Sequence, residues 1–249
     1  MSALSVRIQN KSFNAGPSVL QDLHFSVEAG EFVAIVGPSG AGKTTLLKVI
    51  SGLERDFSGV VDAAPAVRTA LVFQEPRLMP WLTVTRNLRL VAPALTEAQL
   101  KALLASVSLH DCAERFPGQL SGGMQRRVAL LRAFIVEPDL LLMDEPFQSL
   151  DVPTAQQLRT LLMDLWQQSR PTVVFVTHSL PEALALADRV LFLSMGPSRI
   201  VLDYEVPTRR SGGLASAAVL ALQQALLDEH PYLLEGRLGR SDPPVAKGH

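Results

Sequence analysis

The stretch GPSGAGKT, Gly37 to Thr44, constrains this chain more than any other. It matches G-x-x-x-x-G-K-[ST] and follows the short apolar run FVAIVG. It precedes KTTLLKVISGL, whose apolar residues recur at helical spacing until Gly52. A buried strand, a glycine turn and a helix in that order make a cradle for phosphate. The glycines let successive backbone N–H groups close around oxygens, and the helix N-terminus adds its positive end. The candidate nucleotide contacts are therefore Gly37, Pro38, Ser39, Gly40, Ala41, Gly42, Lys43, Thr44 and Thr45. Lys43 is placed to reach the β- and γ-phosphates, and the Thr44 hydroxyl to ligate Mg²⁺.

Two later runs repeat the buried-strand pattern, DLLLMDEP at 139–146 and TVVFVTHS at 172–179, with helical stretches between and after them. Such alternation predicts an α/β fold with a parallel sheet covered by helices. Ligands sit at the carboxyl edge of sheets of this kind. Three further residues fall where the runs reach that edge. Asp144 is suited to the Mg²⁺ shell, and Glu145 to polarising the water that attacks the γ-phosphate. His178, ending VTHS, is suited to hydrogen-bonding that phosphate. Gln74, in VFQEP, follows a shorter apolar stretch and is a candidate contact to water or Mg²⁺, and a hinge.

Between about 75 and 135 the pattern turns helical, as in TEAQLKALLASVSLHDCAERF, which reads as a lobe inserted into the sheet domain. That domain is expected to span 1–206. Beyond it, 207–249 reads as a tail: the polar linker PTRRSGG, a helix with Val219, Leu222 and Leu226 on one face, and a disordered end, RSDPPVAKGH. Within the lobe, LSGGMQRR puts a serine and two glycines at the start of a second helix, with Arg126 and Arg127 on its first turns. This is a second anion-binding N-terminus in a chain that needs one triphosphate cradle.

A net charge of -1 with 19% charged residues gives no general attraction to nucleic acid. One cysteine, Cys112, suits a reducing compartment, and the start MSALSVRIQNKSF lacks the basic-then-apolar pattern of a signal peptide. Apolar runs stop well short of the roughly 20 residues that span a bilayer. A cytoplasmic chain, peripheral to any membrane, is expected.

Taken in order, the phosphate loop, Gln74, LSGGM at 120–124, LLLMDEP at 140–146, SLD at 149–151 and His178 resemble the nucleotide-binding subunit of ABC transporters. The resemblance covers about residues 4–205. It implies a P-loop ATPase core with a mostly parallel sheet, an N-terminal antiparallel β portion and an inserted α-helical lobe. It also implies ATP and Mg²⁺, the latter held by Thr44, Gln74 and Asp144. Two copies would pair head to tail, so that Ser121, Gly122 and Gly123 of one bind the γ-phosphate held by the other, with Asp151 linking the two sites. Phe13 falls where the family places an adenine-stacking aromatic, although an aromatic in KSF could equally be core.

FQEPRLMPWLTVTRN further resembles the F-Q-x-x-x-L-[LM]-P-W-x-x-V-x-x-N segment of ATPases that import nitrate, taurine, alkanesulfonates and thiamine-pyrimidine precursors. Gln125 then Arg126 stand where that subgroup has Arg then Gln. The implied partners are a second copy, a separate membrane permease docking near Gln74 and Leu78, Met79 and Trp81, and, through the permease, an extracytoplasmic solute-binding protein. The expected location is the cytoplasmic face of the bacterial inner membrane. Two rival readings are an exporter ATPase, which the LMPW segment disfavours, and a soluble ABC ATPase acting on DNA or ribosomes. The stretch from Lys43 to Ser121 is too short for the coiled coil of chromosome-structuring relatives.

Overall fold

The computed structural model describes residues 2–14, 16–63, 67–207 and 216–238. The linker residues 208–213 and the tail end 240–249 lie outside the described residues. In chain order the elements are β1 (Ser2–Ser12), β2 (Ser18–Glu28), β3 (Phe32–Val36), α1 (Lys43–Ile50), β4 (Ser58–Ala63) and β5 (Thr69–Val72). These are followed by α2 (Val84–Arg89), α3 (Glu97–Ser106), α4 (Gly122–Phe134), β6 (Leu140–Asp144) and α5 (Val152–Ser169). Completing the chain are β7 (Thr172–Thr177), α6 (Leu180–Leu186), β8 (Arg189–Leu193), β9 (Ile200–Glu205) and α7 (Ala217–Glu229). Two compact units result, one of residues 1–66 with 172–249, the other of residues 67–171.

The first unit holds two kinds of sheet. β2, β1 and β4 form an antiparallel sheet in that order. Leu4, Val6 and Ile8 of β1 are buried on alternate positions, as in a sheet with one wet face. β3 pairs in parallel with β7 on one side and β8 on the other, and β9 closes that edge antiparallel to β8. Every residue of β3 and β7 is buried, which is why FVAIV and TVVFVT read as unbroken apolar runs rather than alternating ones. Helix α6 packs on these strands, and α7 packs on α6 through Val219 and Leu226.

In the second unit β5 and β6 pair in parallel, and α4 packs on β5, α2 and α5. A separate apolar core forms from Leu78, Val84, Leu88, Leu100, Leu104 and Leu120, with the lone Cys112 buried among them. Short polar residues start these helices. Thr83 caps α2, Asp151 caps α5, and Thr96 with Gln99 makes a reciprocal capping box on α3. Of the described ladders outside the N-terminal sheet, β3–β7, β3–β8 and β5–β6 are parallel and β8–β9 is antiparallel, and the N-terminal antiparallel portion is present.

Candidate functional site

In the first unit the phosphate loop leaves β3 at Gly37 and enters α1 at Gly42, a turn that glycine alone accommodates. Gly42 lies at φ 70°, and a Cβ there would stand 2.9 Å from both Leu20 Cδ2 and Val19 Cγ1. No side chain at Gly42 caps the first turn of α1, the arrangement that anion-binding helix N-termini use. The buried Lys43 ammonium curls across the loop, donating to Gly37 O (2.8 Å) and Pro38 O (2.9 Å). Ser39, Gly40 and Thr44 are exposed, Pro38 and Thr45 are half-buried, and Ala41 is buried. Sequence reasoning missed the brace beneath: Ser198, fully buried, donates its hydroxyl to Ala41 O (2.5 Å).

The register of β3 with β7 sets Val36 opposite Thr177, so Gly37 and His178 leave neighbouring strands at the same edge. His178 is exposed there. Its neighbours fix the exit: Thr177 Oγ1 donates to Glu182 Oε2 (2.8 Å) and accepts from the Ser179 N–H (3.0 Å). Phe13 is 45% exposed, which excludes the reading of it as core. The Lys11 ammonium lies 4.3 Å from its ring centroid and is itself held by Glu54 (3.2 Å) and Asp56 O (2.6 Å).

In the second unit Asp144 ends β6 and is buried, while Glu145, half-buried, follows it at φ 44°. Ser149 also lies in the left-handed region, at φ 62°. Non-glycine residues there carry about 1–2 kcal/mol of strain each, so this turn must be held by its surroundings. Gln74, exposed beyond β5, donates from Nε2 to Gln148 Oε1. Gln148 was invisible in the sequence, since nothing in PFQS signals a partner so far upstream.

Ser121 caps α4 by accepting the Met124 N–H (3.3 Å). The two glycines beside it differ. A Cβ on Gly123 would collide with Thr154 of α5, whereas one on Gly122 would meet nothing within 4 Å. Packing explains the second glycine and not the first. The two arginines after them, on the first turns of α4 as the sequence placed them, fasten other segments of the unit. Arg126 donates to Pro146 O (2.7 Å) and Gln148 O (2.6 Å), and Arg127 to Val107 O (3.4 Å) and the Gln157 side chain. Burial pushes the Arg126 guanidinium pKa below its ordinary value. Asp151, exposed at the start of α5, is pushed below its usual range by accepting the Thr154 N–H (3.0 Å).

The segment RLMPWLTVTRN divides between interior and surface. Leu78 belongs to the lobe's core, Met79 is half-buried and Trp81 is 69% exposed. Asn87, wholly buried, folds the turn between them. It accepts from the Met79 N–H (2.8 Å) and donates to Met79 O (3.1 Å), Leu82 O (3.0 Å) and Thr83 O (3.1 Å). The exposed indole is thus mounted on a rigid turn.

The family described as ABC transporter matches residues 20–148, more than half of the chain, from within β2 to the turn after Glu145. The chain belongs to the ABC transporter family. Among its ABC relatives is the aliphatic sulfonates import ATP-binding protein SsuB of Bacillus licheniformis, 38% identical over 91% of this chain and 94% of that protein. SsuB 1 of Pseudomonas savastanoi pv. phaseolicola is 44% identical over 82% of this chain and 86% of its own length. A solved dimeric ATP-binding cassette in a post-hydrolysis state, bound to ADP and Pi, matches with a TM-score of 0.72 and 28% identity. That match covers 82% of this chain and 99% of the other. The fold is that of ABC ATPases. No helix among the described residues is long and apolar enough to cross a membrane.

Proposed function

We propose that this chain is the ATP-hydrolysing subunit of an ABC importer for short alkanesulfonates, working at the cytoplasmic face of the membrane beneath a separate permease. ATP hydrolysis coupled to transport follows from the family. The importer reading and the sulfonate follow from the names of the relatives, which span most of this chain. A solute-binding protein outside the membrane would deliver the substrate to the permease. Residues 1–206 form the nucleotide-binding domain, with a helical lobe at 75–135, and 207–249 form its tail.

The loop Gly37–Thr45 grips the phosphates, with Lys43 on the β- and γ-oxygens, and Phe13 stacks on the adenine. Glu145 accepts the proton of the attacking water, His178 steadies the γ-phosphate, and Gln74 senses the nucleotide at the root of the lobe. Thr44, Gln74 and Asp144 bring hard oxygen donors of the kind that suit Mg²⁺. Bound there, Mg²⁺ would neutralise phosphate charge. A second copy presents Ser121, Gly122 and Gly123 to the same ATP, and the single observation that carries this is the unpacked face of Gly122.

Replacing Gly122 by Asp tests it cleanly. An acid at the first position of α4 favours the helix through its dipole, so the fold should hold. Facing phosphate, the same charge is repulsive. Thermal midpoint should be unchanged or slightly raised, while ATP-induced dimerisation, followed by light scattering with both proteins also carrying Glu145→Gln, is lost. A variant that dimerises normally with ATP would refute the cross-copy site.

The permease contact is placed at Trp81. An exposed indole on a rigid turn has the character of an interface anchor, worth 2 kcal/mol or more, about 30-fold in affinity. Tagged wild-type chain should retain a multi-spanning permease from membranes, and strains lacking the chain should fail to take up ethanesulfonate. Trp81→Ala should weaken permease retention about 30-fold with ATP affinity unchanged. Loss of both together would show that Trp81 serves the fold.

A further inference from the structure

Consecutive residues of α4 fasten two different loops. Gln125 Nε2 donates to Pro117 O (3.0 Å) and Leu120 O (3.3 Å), fixing the turn that delivers Ser121. One position on, about 100° around the helix, the Arg126 fork grips Pro146 O and Gln148 O. These two carbonyls lie between the left-handed residues Glu145 and Ser149, in a turn where the Gln148 N–H donates to Glu145 O (3.2 Å). The Gln148 side chain in turn accepts from Gln74. A planar guanidinium spans two carbonyls at once with charge-assisted bonds, which an ammonium or an amide does not do equally well.

We propose that Arg126 is a positioning residue for ATP hydrolysis: it locks the turn carrying Glu145 and, through Gln148, the side chain of Gln74. The proposal rests on Glu145 being the group that activates water. It also ties α4, whose N-terminus meets the nucleotide of the second copy, to the base of its own copy. Movement of α4 as the copies close is thereby felt at Glu145.

The test compares full-length wild type with Arg126→Gln, Arg126→Lys and the double exchange Gln125→Arg with Arg126→Gln. Steady-state turnover of Mg-ATP, Kd for a non-hydrolysable ATP analogue and hydrogen exchange of the 145–149 peptide are measured on each. Arg126→Gln should lower kcat about 10- to 100-fold, as small misplacement of a reacting group does, with Kd within about two-fold of wild type. Exchange at 145–149 should quicken. Arg126→Lys should fall between the two, since it keeps the charge but loses the fork. The double exchange should not recover activity, because position 125 faces the turn at 117–120. Unchanged kcat in Arg126→Gln, beside an inactive Glu145→Gln, overturns the proposal. Kd and kcat lost together also overturn it, since Arg126 would then support the fold at large. Normal turnover by Glu145→Gln would instead remove the reading beneath it.

Discussion

Glu145→Gln should bind ATP with near wild-type affinity and hydrolyse it about 10²- to 10⁴-fold more slowly, the range that a positioned general base contributes. The substitution is nearly isosteric and keeps an acceptor oxygen, so packing around the half-buried side chain is retained. The left-handed backbone at φ 44° is no worse for glutamine than for glutamate. What is lost is basicity: an amide does not take a proton from water near neutral pH. Because the proposed grip on the nucleotide comes from the phosphate loop and the facing copy, ATP should accumulate in a closed, two-copy state. Size-exclusion chromatography with light scattering should show a dimer with ATP for Glu145→Gln and a transient one for wild type. Rapid turnover by Glu145→Gln would assign the base elsewhere, with His178 the next residue to test.

The features legible in the sequence were those whose cause is local. FVAIV followed by GPSGAGKT specifies a buried strand, a left-handed turn and a helix within a dozen or so neighbouring residues, and the structure has them there. LLLMD and TVVFVT were equally legible, since strands buried on both faces leave unbroken apolar runs. Contacts made across long sequence separations left no such trace. Ser198 holds Ala41, and Gln148 meets Gln74. Each is a polar residue whose partner periodicity does not reveal. Where one residue type serves both interior and surface, composition could not choose, so Leu78 and Trp81 were read together although burial separates them. Arg126 and Arg127 were placed on the first turns of α4 by the sequence, but the carbonyls that their guanidinium groups fasten lie elsewhere in the chain and left no trace there.

Lys43→Ala should separate the role that the structure shows for this side chain from the one proposed for it. Nζ donates to Gly37 O and Pro38 O, so it shapes the loop, and the proposed second role is to hold phosphate. Removing it takes a donor from two carbonyls but also relieves a buried ammonium of its desolvation, and these effects oppose each other. Without nucleotide, the variant should therefore melt within a few degrees of wild type. With nucleotide the two should diverge. A charge-assisted bond to phosphate is worth about 1.5–3 kcal/mol, so ATP affinity should fall about 10- to 150-fold. At an ATP concentration of about 100 times the wild-type Kd, nucleotide stabilises wild type by about 2.7 kcal/mol. A variant binding 100-fold more weakly gains only about 0.4 kcal/mol. Turnover should drop further than affinity, by about 10²- to 10³-fold, because the ammonium meets charge that grows in the transition state. A melting shift with ATP equal to that of wild type would show that backbone N–H groups hold the phosphates without Lys43. A large loss of midpoint without ATP would instead make Lys43 chiefly a structural brace of the loop.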